Sequence, residues 1–331
     1  MIKDILKQLV NYQAISRDTA RQVLINITRG EYNQSEVVTF LTVYMMRPIT
    51  VFELAGFRDA LLELCTKVDF SDFNTIDMCG TGGDNKDTFN ISTLASFVVA
   101  GTGAKVAKHG NYGVSSNCGS SNVMESLGYK FTADQDLLKR QLDKAGICML
   151  HAPLFNSAMK SVAPIRKELG MKTFFNMLGP MVNPSSPQNQ IVGVFSLELA
   201  RLYNYIYQEG DKNYVILHSL DGYDEISLTD SVKVISNKGE KLYLPEQLGF
   251  STITPNTILG GGSVADSAKI FTDILDGKGT FEQKSVVIAN AGMALSTLDS
   301  SKSLDTCFAE ARESLESGKA KAVLKTLLSI N

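Results

Sequence analysis

No apolar run in this 331-residue chain is long enough to span a membrane. Nor does any polybasic stretch mark a face for nucleic acid or a membrane surface: 32 Lys and Arg are interspersed with 35 Asp and Glu, for a net charge of −3. Substrate anions must therefore be met by local donors. The opening MIKDILKQLVNY mixes charges into its apolar residues and reads as an amphipathic helix, not a secretory signal. The five cysteines, Cys65, Cys79, Cys118, Cys148 and Cys307, form no C-x-x-C pair and no metal-ligand spacing, which fits reduced thiols in a cytoplasm. The three histidines are scattered, so no cysteine nucleophile has an evident base; Cys79 and Cys118 read as packing residues. Walker spacing is absent and so is G-x-G-x-x-G in the main glycine block, which disfavours a mononucleotide kinase or a dinucleotide dehydrogenase. There is no internal repeat or low-complexity tract, and the length allows a full core and more than one subdomain.

What the chain does have is a glycine-rich block, DMCGTGGDNKDTFNIST from Asp77 to Thr93, followed by KHGNYGVSSNCGSS from Lys108 to Ser121. Gly80, Gly82 and Gly83 permit positive φ and let main-chain N–H groups approach phosphate oxygens closely. Asn90, Ser92 and Thr93 are expected to cap a helix whose N-terminal dipole favours a polyanion. Lys108 adds a positive charge, and Asn111, Ser115, Ser116 and Ser120 add uncharged donors. Together the blocks read as a site for a phosphorylated sugar; singly, the same residues serve turns that bind nothing.

Residues 1–67 repeat apolar positions at helical spacing, with Ser16 and Thr50 as helix starts and Gly30 as a stop. From Thr75 short apolar runs alternate with helices, and Lys105–Ala107, Ile147–Leu150, Ile191–Phe195 and Tyr214–Leu217 read as buried strands. This alternation predicts an α/β fold with a parallel sheet, ligands collecting at the carboxyl ends of its strands. Gly260, Gly261 and Gly262 read as a loop feeding an ordinary helix.

Two charged segments carry chemistry. LHSLDGYDEIS holds Asp221, Asp224 and Glu225; neighbours on a strand face opposite ways, so Asp224 and Glu225 converge on a metal only in a loop, which Asp221-Gly222 supplies. Carboxylates suit Mg²⁺, and a solvated acidic turn is the other reading. Arg166, in PIRKELG, offers a guanidinium fork for a carboxylate, or else an ordinary surface helix charge.

The two glycine blocks, GYDE at Gly222–Glu225, and VAPIRKELGMKTFFNMLGPMVNP at Val162–Pro184 resemble the anthranilate phosphoribosyltransferase family over nearly the whole chain. The resemblance implies a nucleoside phosphorylase/phosphoribosyltransferase-like α/β fold. A small N-terminal helical subdomain, residues 1–70 with a returning segment around 164–180, joins a larger α/β domain, residues 75–331, with a mostly parallel central sheet, and the active site forms between the two. It also implies a cytoplasmic homodimer joined mainly through the N-terminal helices. Its members transfer the phosphoribosyl group of 5-phosphoribosyl 1-diphosphate to anthranilate in tryptophan biosynthesis. Carried over residue by residue, Gly80, Gly83, Asp84, Thr88, Asn90, Ile91, Ser92, Thr93, Lys108, His109, Gly110, Asn111, Tyr112, Gly113, Val114, Ser115, Ser116 and Ser120 would hold phosphoribosyl diphosphate. Gly80, Asn111 and Arg166 would hold anthranilate, and Ser92, Asp224 and Glu225 would hold Mg²⁺. No acid, base or nucleophile is implied; His109 reads as structural, since an aromatic amine is already unprotonated at neutral pH.

Two departures from the family pattern stand out. Tyr112 replaces an arginine, removing a positive charge near the phosphates, and Asn156-Ser157 replaces His-Pro near the expected entrance for the aromatic acid. Pyrimidine nucleoside phosphorylases share Lys-His-Gly-Asn but are not expected to combine it with GTGGD and the Asp-Glu pair. A non-catalytic nucleic-acid-binding paralogue is the reading from another class, and the lack of a basic stripe argues against it.

Overall fold

The computed structural model describes residues 2–113 and 118–330. The chain divides into two compact units, Met1–Lys67 with Ala152–Pro184, and Val68–His151 with Ser185–Asn331.

In the first unit, helices Ile2–Val10, Arg17–Thr28, Gln34–Met46 and Val51–Leu64 follow one another. Their starts are set by side-chain caps: Ser16 accepts from the Thr19 N–H, while Asn33 with Glu36 and Thr50 with Glu53 form reciprocal capping boxes. The returning stretch belongs here because of its aromatic residues. Phe174 stacks on Phe57 with ring centroids 4.3 Å apart and meets Phe40 and Tyr44 edge-on, completing an apolar centre that the first four helices supply only in part.

The second unit is built on a seven-stranded sheet in the order β3-β2-β1-β4-β5-β6-β7. Its strands are β1 (Thr75–Gly80), β2 (Lys105–Gly110), β3 (Ile147–His151), β4 (Asn189–Gly193), β5 (Asn213–Ser219), β6 (Val232–Ser236) and β7 (Gly239–Tyr243). The first five run parallel, whereas β6 and β7 add an antiparallel hairpin that the apolar pattern did not announce. The central strands are buried, and helices Ile91–Gly101 and Phe281–Leu298, apolar over most of their surface, pack on them within one continuous core. The chain leaves β1 toward β2 on one side and later places β4 on the other, so the order reverses between β1 and β4. That reversal opens a crevice at the carboxyl ends of these two strands.

Candidate active site

The crevice is shaped by two glycines. Gly80 ends β1, Gly193 ends β4, and the two are register partners. A Cβ on Gly80 would overlap the carboxylate of Asp224, and one on Gly193 its main-chain carbonyl. Their bareness is what lets residues 221–225 fold onto the strand ends. The Thr81 N–H donates to Gly193 O at 2.9 Å, and the Gly82 N–H donates to Asp224 Oδ2 at 2.6 Å. Gly82 and Gly83 then take φ of 63° and 78°, left-handed backbone that side chains strain. The far end of this loop is closed by the triple-glycine run, where Gly260 N–H donates to Asp87 O at 2.7 Å and Thr88 bridges to Leu259. Helix Val264–Leu275 starts immediately after, capped by Ser263.

The expected caps of helix Ile91–Gly101 are corrected by the structure. Asn90 stands at the N-cap position, but its ψ of 66° departs from the extended geometry that lets a side chain reach back to the first turn. Its Nδ2 donates instead to Cys118 O at 3.0 Å, tying the two glycine blocks together, and Ile91 and Thr93 are buried. The first-turn N–H of Ser92 is met by Glu225 Oε1 at 3.0 Å, a carboxylate from the loop after β5.

Asp224 and Glu225 thus lie in a loop, beside the helix start. Burial and then repulsion from Asp84 push the Asp224 carboxyl up to about 7, and burial and then Asp224 push Glu225 well above its ordinary range. Glu225 Oε2 is buried without a hydrogen-bond partner. Crowded carboxylates with an orphaned oxygen fit a divalent cation. Among the described residues no group of three His, Cys, Asp or Glu could hold a metal alone, so such an ion would complete its shell with water and substrate oxygens, as Mg²⁺ commonly does. A recess of about 260 Å³, counting solvent at its mouth, lies here among Gly80, Ser92, Gly193, Asp224, Glu225 and Asn290. Asn290, which sequence reasoning missed, clamps the acidic loop through both directions of hydrogen bonding with the Ile226 main chain.

The second glycine block begins on β2. Lys108 is buried and its Nζ donates to Met78 O on β1; His109 is buried too, its N–H donating to Asp77 Oδ1 at 3.0 Å. After Gly110, Asn111 O accepts from the Ser121 N–H at 3.1 Å and the Ser120 hydroxyl at 3.3 Å. The neck of the loop is tied by Asn122, also missed from sequence, whose Oδ1 accepts from Gly113 N–H at 2.9 Å and Gly119 N–H at 3.0 Å. Val114, Ser115 and Ser116 lie outside the described residues. Tyr112, the departure from arginine, donates its hydroxyl to Glu125 at 2.7 Å and sets its ring 4.7 Å from that of His151. Burial pushes the Cys79 thiol up to about 12 and also raises Cys118, so neither is a thiolate at neutral pH.

In the helical unit, Arg166 sits on helix Ala163–Leu169, half-buried, with its guanidinium 5.1 Å from the Phe175 ring centroid and a long 3.5 Å contact to Asn176 Oδ1. Among the described residues it has no carboxylate partner, and Glu168 accepts instead from Gln34 at 3.0 Å. Asn156 is buried with neither amide atom hydrogen-bonded.

Comparison with known proteins finds two family models along the chain. Residues 3–65 match the glycosyl transferase family, helical bundle domain, and residues 72–321 the glycosyl transferase family, a/b domain. The anthranilate phosphoribosyltransferase of Christiangramia forsetii is 60% identical over 100% of this chain and 99% of its own, and that of Flavobacterium psychrophilum is 60% identical over 100% of both. The chain belongs to the anthranilate phosphoribosyltransferase family. Among solved members of that family, the Thermus thermophilus enzyme superposes with a TM-score of 0.91 at 29% identity, covering 98% of each chain. The Saccharomyces cerevisiae anthranilate phosphoribosyltransferase, solved in complex with PRPP and Mg, superposes with a TM-score of 0.90 at 25% identity, covering 99% of this chain and 97% of its own.

Proposed function

We propose that this chain carries out the reaction for which its relatives are named. The phosphoribosyl group of 5-phosphoribosyl 1-diphosphate passes to anthranilate, giving N-(5-phosphoribosyl)anthranilate and diphosphate, in tryptophan biosynthesis. The observation that carries the reading is the meeting of the GTGGD loop with the Asp224-Glu225 loop through the Gly82 N–H. Gly80, Gly83, Asp84, Thr88, Asn90, Ser92, Thr93, Lys108, Asn111 and Ser120 hold the phosphoribosyl diphosphate in this reading. Asp224 and Glu225, with Ser92, hold Mg²⁺, and the partnerless Glu225 Oε2 supports that assignment. Bound there, Mg²⁺ neutralises charge developing on the departing diphosphate. The chain's own part is positional and electrostatic: the N–C1 bond forms as the C1–O bond to diphosphate breaks, and the proton lost by the amine passes to water or to the departing diphosphate. Arg166, a guanidinium without a carboxylate partner among the described residues, takes the anthranilate carboxylate.

A homodimer is part of the same reading, supported by exposed apolar residues on the N-terminal helices, Val10 at 57%, Met46 at 71% and Phe52 at 64% exposure, with Tyr12 at 72% in the turn after the first helix. The five free cysteines support a cytoplasmic location. The deciding experiment follows anthranilate fluorescence. It should be consumed only when phosphoribosyl diphosphate and Mg²⁺ are both present. Phosphorolysis of thymidine in its place would favour a nucleoside phosphorylase, and salt-dependent DNA binding without turnover a nucleic-acid-binding paralogue.

A further inference from the structure

Between Gly83 and Thr88 the phosphate loop carries three residues that neither the loop's turn nor the helix start explains. Asn85 and Asp87 take φ of 60° and 48°, left-handed backbone in residues other than glycine, and they present Lys86 between them. The Lys86 N–H donates to Asp84 Oδ1 at 3.2 Å, fixing its own turn. Its side chain crosses to the acidic loop. Lys86 Cε passes 3.3 Å from where a Cβ on Gly222 would stand, and Nζ lies 4.6 Å from the Tyr223 ring centroid.

That resting place holds the ammonium only weakly. Asp84 and Asp221 both act on Tyr223, yet among the described residues Lys86 forms an ion pair with neither. Tyr223 is buried, and a cation–π contact with its ring, with no such ion pair beside it, is weaker than a charge-assisted bond to a phosphate oxygen. The loops around it carry Asp84, Asp221, Asp224 and Glu225, whose field repels an incoming polyanion, and one divalent cation offsets only part of it. Lys108, the lysine of the second glycine block, is buried and already donates to Met78 O.

We propose that Lys86 is a further substrate-binding residue: its ammonium takes an oxygen of the diphosphate moiety, at the metal end of the site, with Gly222 and Tyr223 as its cradle when that moiety is absent. The inference rests on the phosphoribosyl diphosphate reading above. Its place follows from chain geometry, since Gly222 and Tyr223 lead directly into Asp224 and Glu225, so the lysine serves the diphosphate and not the 5-phosphate.

The test measures binding, in the presence of Mg²⁺, of phosphoribosyl diphosphate, inorganic diphosphate and ribose 5-phosphate to the wild-type protein, Lys86→Met and Lys86→Arg. Lys86→Met should weaken the first two ligands by about tenfold or more, the loss of one charge-assisted hydrogen bond, and leave ribose 5-phosphate unchanged. Lys86→Arg should keep most of the affinity, and Lys86→Gln, which retains a polar end without charge, should behave like Lys86→Met. Wild-type affinities in Lys86→Met would overturn the proposal. So would an equal loss for all three ligands, which marks a collapsed loop, or a loss confined to ribose 5-phosphate. If the wild-type protein bound neither phosphoribosyl diphosphate nor diphosphate, the underlying functional reading would fall, and this inference with it.

Discussion

The main-chain N–H of Gly82 donates to Oδ2 of Asp224 at 2.6 Å, joining the loop after β1 to the loop after β5. In the proposed reading the donor belongs to the phosphate-binding segment and the acceptor to the metal pair, so their spacing is set before any ligand arrives. Asp224→Asn with Glu225→Gln keeps acceptors of similar shape but removes both charges. Turnover should fall steeply while the fold persists, by on the order of 2–4 kcal/mol of transition-state stabilisation for each charge. A Mg²⁺ titration of activity identical to that of the unaltered protein would remove these residues from the metal site.

The two kinds of glycine at the crevice should respond differently to alanine. At Gly82 a Cβ meets nothing within 4 Å, so the effect of Gly82→Ala comes from the φ of 63° alone, about 1–2 kcal/mol. At Gly193 the Cβ would overlap the Asp224 carbonyl, and the acidic loop must move. Gly193→Ala should therefore abolish Mg²⁺-dependent turnover even where circular dichroism shows an intact fold. Equal, mild effects from both variants would mean that the acidic loop tolerates displacement.

Much of this was legible in the chain because it is local. Strands β2 to β5 contain short apolar runs, Ser16 and Thr50 stand before helical periodicity, and the glycines of GTGGD at a strand end announce a left-handed loop. The hairpin was not legible, since β7 is largely exposed and its residues, GEKLY, carry no buried-strand signature. Long-range pairings were equally silent. Glu225 satisfies Ser92 across 133 positions, a partnership that exists only because β1, β4 and β5 lie side by side. For the same reason Asn90 looked like a cap, whereas its backbone turns the side chain toward Cys118. Asn290 had no signal beyond being polar among apolar neighbours on its helix, a cue that marks many satisfied buried amides, and Asn122, in the polar segment SSNVMES, had none.

Glu53 offers a test of pH dependence away from the crevice. Its Oε1 accepts from Ile15 N–H at 3.1 Å, Tyr44 hydroxyl at 2.9 Å and the Arg47 guanidinium, while Oε2 accepts from Thr50. Burial pushes this carboxyl up, but the hydrogen bonds from Arg47, Thr50 and Ile15 outweigh burial and hold it below its ordinary value. The unfolded chain then binds the proton more readily than the folded one, so the stabilisation is present above the ordinary carboxyl pKa of about 4.3 and is lost as pH falls through the native value. Glu53→Gln should lower stability at pH 7 by about 3 kcal/mol, as when a buried pair loses one partner, and the gap should narrow below about pH 4. Denaturant titrations of both proteins at the two pH values check this; a gap independent of pH would assign the effect to packing.

Substitution of Arg166 tests the proposed separation of the two substrates. Its guanidinium lies against Phe175 with no carboxylate partner among the described residues, a position that leaves the planar fork available to an incoming carboxylate. Burial also pulls its pKa down, which marks a charge held partly out of water and gaining more from an anion than a solvated one would. Arg166→Ala should raise the anthranilate KM far more than that for phosphoribosyl diphosphate, whose proposed ligands lie on other loops. The loss of a bidentate charge-assisted contact should be about 1.5–3 kcal/mol, roughly ten- to a hundredfold in kcat/KM for anthranilate. Arg166→Lys should recover only part of it, because an ammonium cannot present two parallel donors. Steady-state kinetics with each substrate varied in turn decides the matter. An equal loss for both substrates would point to local collapse of helix Ala163–Leu169, and no loss for either would leave Arg166 a helix charge with no part in binding.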